Sequence, residues 1–415
     1  MVGAVLLAAR YHASIFASPY TRLDAALVVW LLLAALMLVP VSAPTRLALA
    51  PASATVDRML FLNTPADPAA APSRPLSIDP ASSAWALALG AVLVLLFWSA
   101  REIVASGGLR ATVRGIAWIS LALTTVALVQ HGTSPQLLYG FVRPIGRNPT
   151  PFGPFVSRND LATWLIVALP LAAGYAAARV ESRRRGDERL AVDEVVDATA
   201  LWLGAAMVFI AAALVVAISR SGLIGAASGM AALLVLARRR MSRSGWGWSA
   251  AGATLVLAVA ASYASWQALA RRMEETLASG LGGRREIWER TWTMTRDFWI
   301  TGVGVGAYER AMTVYQQTPH VFYFNHAHNE YLQLLAEGGV VLALPAAIAI
   351  VAGVLLISRQ LAADRTAVFW IRAGAAAGLL AVAVQSVWDT GLRMPANAVL
   401  FAIVAAIAMH DGQRH

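Results

Sequence analysis

Long apolar blocks, separated by short polar segments that carry arginine, organise the whole chain. About 20 mostly apolar residues suffice for a helix to cross a membrane. On that measure the pattern predicts ten spans, at 23–40, 81–99, 115–130, 161–178, 199–218, 221–237, 248–264, 332–357, 367–388 and 395–409. A further apolar element at 2–17 is too short and too polar to span and fits an interfacial position. The first block ends in Val41-Ser42-Ala43, faintly like a signal-peptidase site, but Pro44 and the many later spans favour a retained helix. Residues 41–80, rich in Pro and Ala, read as irregular. Within 265–331, Ile287, Trp288, Trp292, Thr295 and Trp299 recur at helical spacing, and the pattern predicts a helix lying on the bilayer surface.

The expected fold is therefore an all-α polytopic membrane protein with a large, partly helical loop. It has ten spans by this reading, and about 10–12 if elements near the N-terminus or in 41–80 also cross. Its parts form a single membrane domain: seven helices in 1–264, the long loop at 265–331 and three helices in 332–415.

Arginine placement orients the chain. With the N-terminus inside, the densest basic clusters, Arg183-Arg184-Arg185 and Arg238-Arg239-Arg240, fall in inside loops, and the C-terminus is inside too. The long loop is then outside. An arginine on the disfavoured outer side has no topological reason to be there, which draws attention to Arg143, Arg147, Arg158, Arg220, Arg284 and Arg393.

Composition adds limits. The chain is 58% hydrophobic and 13% charged, with mean hydropathy +0.62, well beyond a soluble domain of its 415 residues. All the basic residues are Arg, so the choice of Arg over Lys says nothing about phosphate. The net charge of +10 is spread over many loops rather than gathered on one face, which argues against nucleic acid. There is no Cys, which excludes disulfide and thiol chemistry.

Four constellations could carry chemistry. His326-Ala327-His328 sits beside Asn325, Asn329 and Glu330 just before the eighth span, where an imidazole can exchange a proton near neutral pH. The plainer reading is a polar helix start capped by an Asn. A metal would need a third ligand, and no companion cluster is evident. Ser219-Arg220-Ser221-Gly222 wedges a guanidinium between two apolar blocks, as a functional group or as a snorkelling one. Gly282-Gly283-Arg284 before a helix can hold an anion, though such turns are common. Ser157-Arg158-Asn159-Asp160 opens the fourth span, where Asn159 or Asp160 can simply cap. The run Gly302-x-Gly304-x-Gly306 lacks the strand and the Lys-Ser/Thr of a nucleotide loop and reads as a tight turn before a helix at 307–317.

Taken in order, Ser219-Arg220-Ser221-Gly222, Gly283-Arg284-x-x-Ile287-Trp288, Gly302-x-Gly304-x-Gly306 and His326-Ala327-His328-Asn329-Glu330-Tyr331-Leu332 resemble the O-antigen ligase and polymerase superfamily over about residues 155–345. The resemblance implies a membrane glycosyltransferase of the bacterial inner membrane with its site facing the periplasm. Its donor would be an undecaprenyl-diphosphate-linked glycan and its acceptor a lipid A–core or glycan hydroxyl. It implies that no nucleotide sugar and no ATP are needed, and the expectation is a reaction with no cofactor and no metal. By matching position, Arg220 and Arg284 would grip the diphosphate, with Arg158 a looser third match. His328 would be the essential histidine, and His326 a second candidate base or a positioning residue. The leading expectation is a ligase. A polymerase using the same donor is the alternative within the family, and a transporter the alternative of another class.

Overall fold

The computed structural model describes residues 15–61, 67, 71–144, 150–186, 198–238, 240, 282–316 and 323–411. The span expected at 248–264, most of the element expected at 2–17, and Arg147 lie outside these residues.

The other nine expected spans are all helices. They are α1 (Thr21–Leu36), α4 (Pro80–Ile103), α5 (Leu109–Thr133), α6 (Arg158–Gly186), α7 (Ala198–Ala217), α8 (Arg220–Ala237), α11 (Glu330–Ala363), α12 (Val368–Gln385) and α13 (Pro395–Ala408). Four shorter helices accompany them: α2 (Ala43–Leu49), α3 (Ser53–Leu60), α9 (Gly282–Asp297) and α10 (Tyr308–Tyr315). Among the described residues there is no β-strand, only isolated bridges. Six helical units among the described residues are both long and apolar enough to cross a membrane. The longest, Pro80–Thr133, has 54 residues. Straight, it would measure about 80 Å, far beyond a hydrocarbon core of about 30 Å. It is two limbs instead, because Ser106 and Gly107 leave helical geometry in the π-turn Val104–Gly108 between α4 and α5.

At the centre of the bundle, α12 packs most extensively on α6 and α8. Small residues let these backbones approach, the usual device where no hydrophobic force drives helices together. A Cβ on Gly374 would stand 2.4 Å from the Pro170 carbonyl oxygen, and one on Gly229 2.9 Å from the Ala381 Cβ. This packing places the starts of α6 and α8 beside the end of α12. The opposite end is pinned by buried ion pairs, Arg101–Asp24 at 2.7 Å and Arg372–Asp364 at 2.8 Å.

The stretch expected to be irregular at 41–80 contains α2 and α3. Ser42 caps α2 by accepting from the Thr45 N–H, and Arg46 and Asp57 pair across the two helices. The helix expected at 285–299 is α9, and its two sides differ. Ile287, Thr291, Met294, Thr295 and Phe298 are buried, while Trp292 and Trp299 are more than half exposed. The expected turn at Gly302–Gly306 is present, with positive φ at all three glycines, and α10 follows it.

That turn has a structural purpose. Gly339, at φ 54° and ψ −161°, breaks α11 three turns from its start. The peptide groups freed by the break are taken up by the segment after α9. Val303 N–H donates to the Ala336 carbonyl at 2.9 Å and Gly304 N–H to that of Glu337 at 2.9 Å. In return, Val340 N–H donates to Trp299 and Val341 N–H to Ile300, at 2.9 and 3.1 Å. Only glycine fits, since a Cβ on Gly339 would lie 2.3 Å from the Ile300 oxygen and one on Gly302 2.3 Å from the Glu337 carbonyl carbon. Gly339→Ala is expected to cost about 2–4 kcal/mol through backbone strain and this clash, read as a lower thermal midpoint in detergent than wild type.

Candidate functional site

Five elements end within one region. α8 begins at Arg220, with Ser219 as its cap accepting from the Gly222 N–H at 3.2 Å. α6 begins at Arg158, after Ser157 has accepted from the Asn159 N–H, so Ser157 rather than Asn159 or Asp160 makes the turn. α11 begins at Glu330, capped by the Asn329 side chain accepting from Leu332 N–H at 3.0 Å. Its entry is tied to α12 by Glu330 N–H donating to the Ser386 carbonyl and Tyr331 hydroxyl donating to that of Ala383. The loop from α12 to α13 is clamped over α6, because Asn397 donates to the carbonyls of both Asp160 and Gly391 at 2.9 Å.

Asp389, in that loop, is the focus of the region. It is 5% exposed and accepts from the Ser221 hydroxyl at 3.1 Å and from the Thr390 N–H at 2.9 Å. Its charge acts on both Arg284 and His328, while Arg220 acts on Arg284. The three residues singled out as Arg220, Arg284 and His328 are therefore brought together around one carboxylate. Arg158 lies at the same end of the bundle, one turn ahead of Thr163, against which Gly391 packs.

The histidine segment is held by its backbone. Ala327 N–H donates to Gln333 Oε1 at 2.9 Å, and its carbonyl accepts from the Trp288 indole at 2.9 Å. Gln333 in turn donates to Glu337, which receives Arg393 through both carboxylate oxygens at 3.0 Å. This clamp holds His328 at a φ of 50°, in the left-handed region. The Nδ1 atoms of His326 and His328 are buried without a hydrogen-bond partner among the described residues.

Burial, with Arg393 and His328 adding positive charge nearby and Glu337 partly offsetting them, lowers the His326 pKa to about 4. Burial also lowers that of His328, where Asp389 opposes and Arg284 reinforces the shift. Both imidazoles are thus neutral at pH 7 and able to accept a proton. Arg284 is lowered by burial, with Asp389 opposing and Arg220 reinforcing.

The arginines divide into two groups. Arg393, flagged by its side of the membrane, is committed to Glu337 and Glu330. Arg220 and Arg284 make no hydrogen bond or ion pair to a described residue; Arg220 is exposed and Arg284 half-buried. Two guanidiniums that no described carboxylate pairs directly fit an anionic ligand with several acceptor oxygens. Among the described residues no group of His, Asp and Glu is arranged to hold a metal ion.

Beside the site, a cavity of about 1170 Å³ separates α11 from α12, with α1, α4 and α13 forming its other walls. Its wall is overwhelmingly apolar. Glu330, Ser386 and Arg393 line the end next to the histidines, and Ser358 and Arg365 the far end.

Asp389 escaped the sequence reading. The signal available was an ionisable residue at the end of an apolar block, Trp388-Asp389-Thr390, on the same side as the unexplained arginines.

Fold and site together define an all-α polytopic membrane protein whose candidate site residues gather at one end of its helices. Residues 205–347 match the family model described as O-antigen ligase, so the likeness to the O-antigen ligase and polymerase superfamily holds over the segment that carries Arg220, Arg284, His326 and His328. No curated protein matches the chain.

The lowered His326 pKa sets a pH dependence. Between about 4 and 6.5 the unfolded chain binds a proton that the folded one refuses, so stability falls as pH drops through 6.5 and this contribution is spent below about 4. The thermal midpoint of His326→Gln is expected to fall less than that of wild type across this window.

Proposed function

We propose that the protein is an O-antigen ligase that transfers a glycan from undecaprenyl diphosphate to a hydroxyl of lipid A–core, at the periplasmic face of the bacterial inner membrane. The observation that carries this reading is the pair of guanidiniums, Arg220 and Arg284, that no described carboxylate pairs directly, gathered with a neutral His328 near Asp389. The apolar cavity beside them supports a substrate with a long hydrocarbon tail.

In this mechanism the acceptor hydroxyl attacks the anomeric carbon, and the bond to the diphosphate oxygen breaks. Arg220 and Arg284 stabilise the charge that builds on the departing diphosphate, with Arg158 as a third contact. Each well-placed donor of this kind contributes roughly 3 kcal/mol to the transition state. His328 accepts the proton of the attacking hydroxyl, a role worth about 10²–10⁴-fold. A single displacement inverts the anomeric configuration. Of the two histidines, His328 is the better base because it shares Asp389 and Arg284 as neighbours. His326 lies toward Arg393 and Glu337 and positions the segment. Asp389 offsets the like charges of the arginines and holds Ser221 at the start of α8.

The family match supports a ligase and equally a polymerase that extends the same lipid-linked glycan. A deletion strain decides between them. Loss of a ligase leaves polymer on its carrier and bare core, whereas loss of a polymerase leaves single repeats on core. A transporter would carry its ionisable groups near the bilayer midplane, and here the site residues sit at helix ends.

His328→Ala is expected to reach the membrane at wild-type level and to lose glycan transfer by at least about 10²-fold in the complemented deletion strain. Wild-type transfer by that variant would remove the proposed base. Purified protein is expected to keep full activity in EDTA. Loss of activity restored by Mg²⁺ or Mn²⁺ would contradict charge stabilisation by arginine alone.

A further inference from the structure

At the end of the bundle opposite the site, a second cavity of about 370 Å³ lies between the start of α1 and the last turns of α11. Arg22 and Arg359 both line it, both are exposed, and neither makes a hydrogen bond or ion pair to a described residue. The acids in its wall are otherwise engaged. Asp364 holds Arg372 at 2.8 Å and also accepts from Thr366, and Asp411 acts on the same Arg372. Arg22, Arg359 and Arg372 thus outnumber Asp364 and Asp411 in the wall by one, and the cavity keeps a net positive charge.

Depth identifies the ligand. Arg359 follows Glu330 by about eight helical turns, roughly 43 Å along α11, which matches a bilayer of about 40–45 Å including headgroups. The arginines stand at headgroup level. Toward the membrane core from Arg359, the cavity is walled by Leu23, Leu355 and Leu356. Leu355 is 48% exposed and continues into Val351, one turn earlier and 57% exposed, on the outer face of α11. The polar rim thus runs without interruption onto a surface that faces hydrocarbon. A soluble anion would have no use for that apolar wall. The bias of inside loops toward arginine explains why basic residues occur at this end, but not why two of them flank a cavity.

We propose that this cavity is a binding site for one anionic membrane phospholipid, with its phosphate between Arg22 and Arg359 and an acyl chain along Leu355 and Leu356. Basic pockets between transmembrane helices recognise anionic headgroups through this combination of charge and apolar contact. The proposal is independent of the reaction assigned to the other end.

The test takes the full-length protein from nanodiscs of phosphatidylethanolamine, with or without phosphatidylglycerol, and reads retained lipid by native mass spectrometry. Wild type is expected to retain one phosphatidylglycerol, and the R22Q/R359Q variant to lose it. R238Q, which removes a charge at the same end but outside the cavity, is expected to retain the lipid, and inorganic phosphate is expected not to displace it. Equal retention by wild type and R22Q/R359Q would overturn the site. Equal loss in R238Q would reduce it to diffuse surface charge, and displacement by phosphate would make it a pocket for a free anion; either result overturns the proposal. Both altered arginines are exposed, so the variants test binding rather than folding.

Discussion

A peptide group within a membrane must find its hydrogen bond inside the protein. α11 interrupts its own ladder at Gly339, and the segment 299–304 supplies the missing partners. Everything at the site end depends on that exchange. It joins α9 and α10 to the membrane bundle through backbone bonds rather than through side chains alone. With α9 fixed, Arg284 at its start is carried toward Arg220 and Asp389, and Trp288 one turn later reaches the Ala327 carbonyl. The helix break and the active arrangement are thus parts of one construction.

The treatment of charge separates architecture from chemistry. Arg101, Arg372 and Arg393 are each matched by a carboxylate within about 3 Å, as burial in a low-dielectric bundle demands. Arg220 and Arg284 are not matched in this way. Asp389 is near enough to temper their mutual repulsion, yet its own hydrogen bonds go to Ser221 and Thr390. The result is a site with surplus positive charge and neutral imidazoles, suited to a substrate that brings its own negative charge and departs with it.

Hydropathy made the spans legible, because each apolar block is a local property of the sequence. The ordered motifs around Arg220, Arg284 and His328 were legible for the same reason. What the sequence hid is what depends on distant contacts. Asp389 meets Ser221 across 168 residues, and its place at the end of an apolar block does not reveal that partner. The glycines at 302–306 read correctly as a turn, but their fit against Gly339 could not be read from either segment alone. In α9 the helical period was clear, but which side packs inward was not: Met294 and Phe298 fill the interior, and Trp292 faces out. α2 and α3 were missed because their stability comes from the Ser42 cap and the Arg46–Asp57 pair, not from an apolar period.

Binding and chemistry are assigned to different residues, and equilibrium binding of a prenyl diphosphate lacking any sugar separates them most directly. The account predicts that R220Q/R284Q loses affinity for this probe while His328→Ala binds it as wild type does. Undiminished binding by the double arginine variant would contradict it.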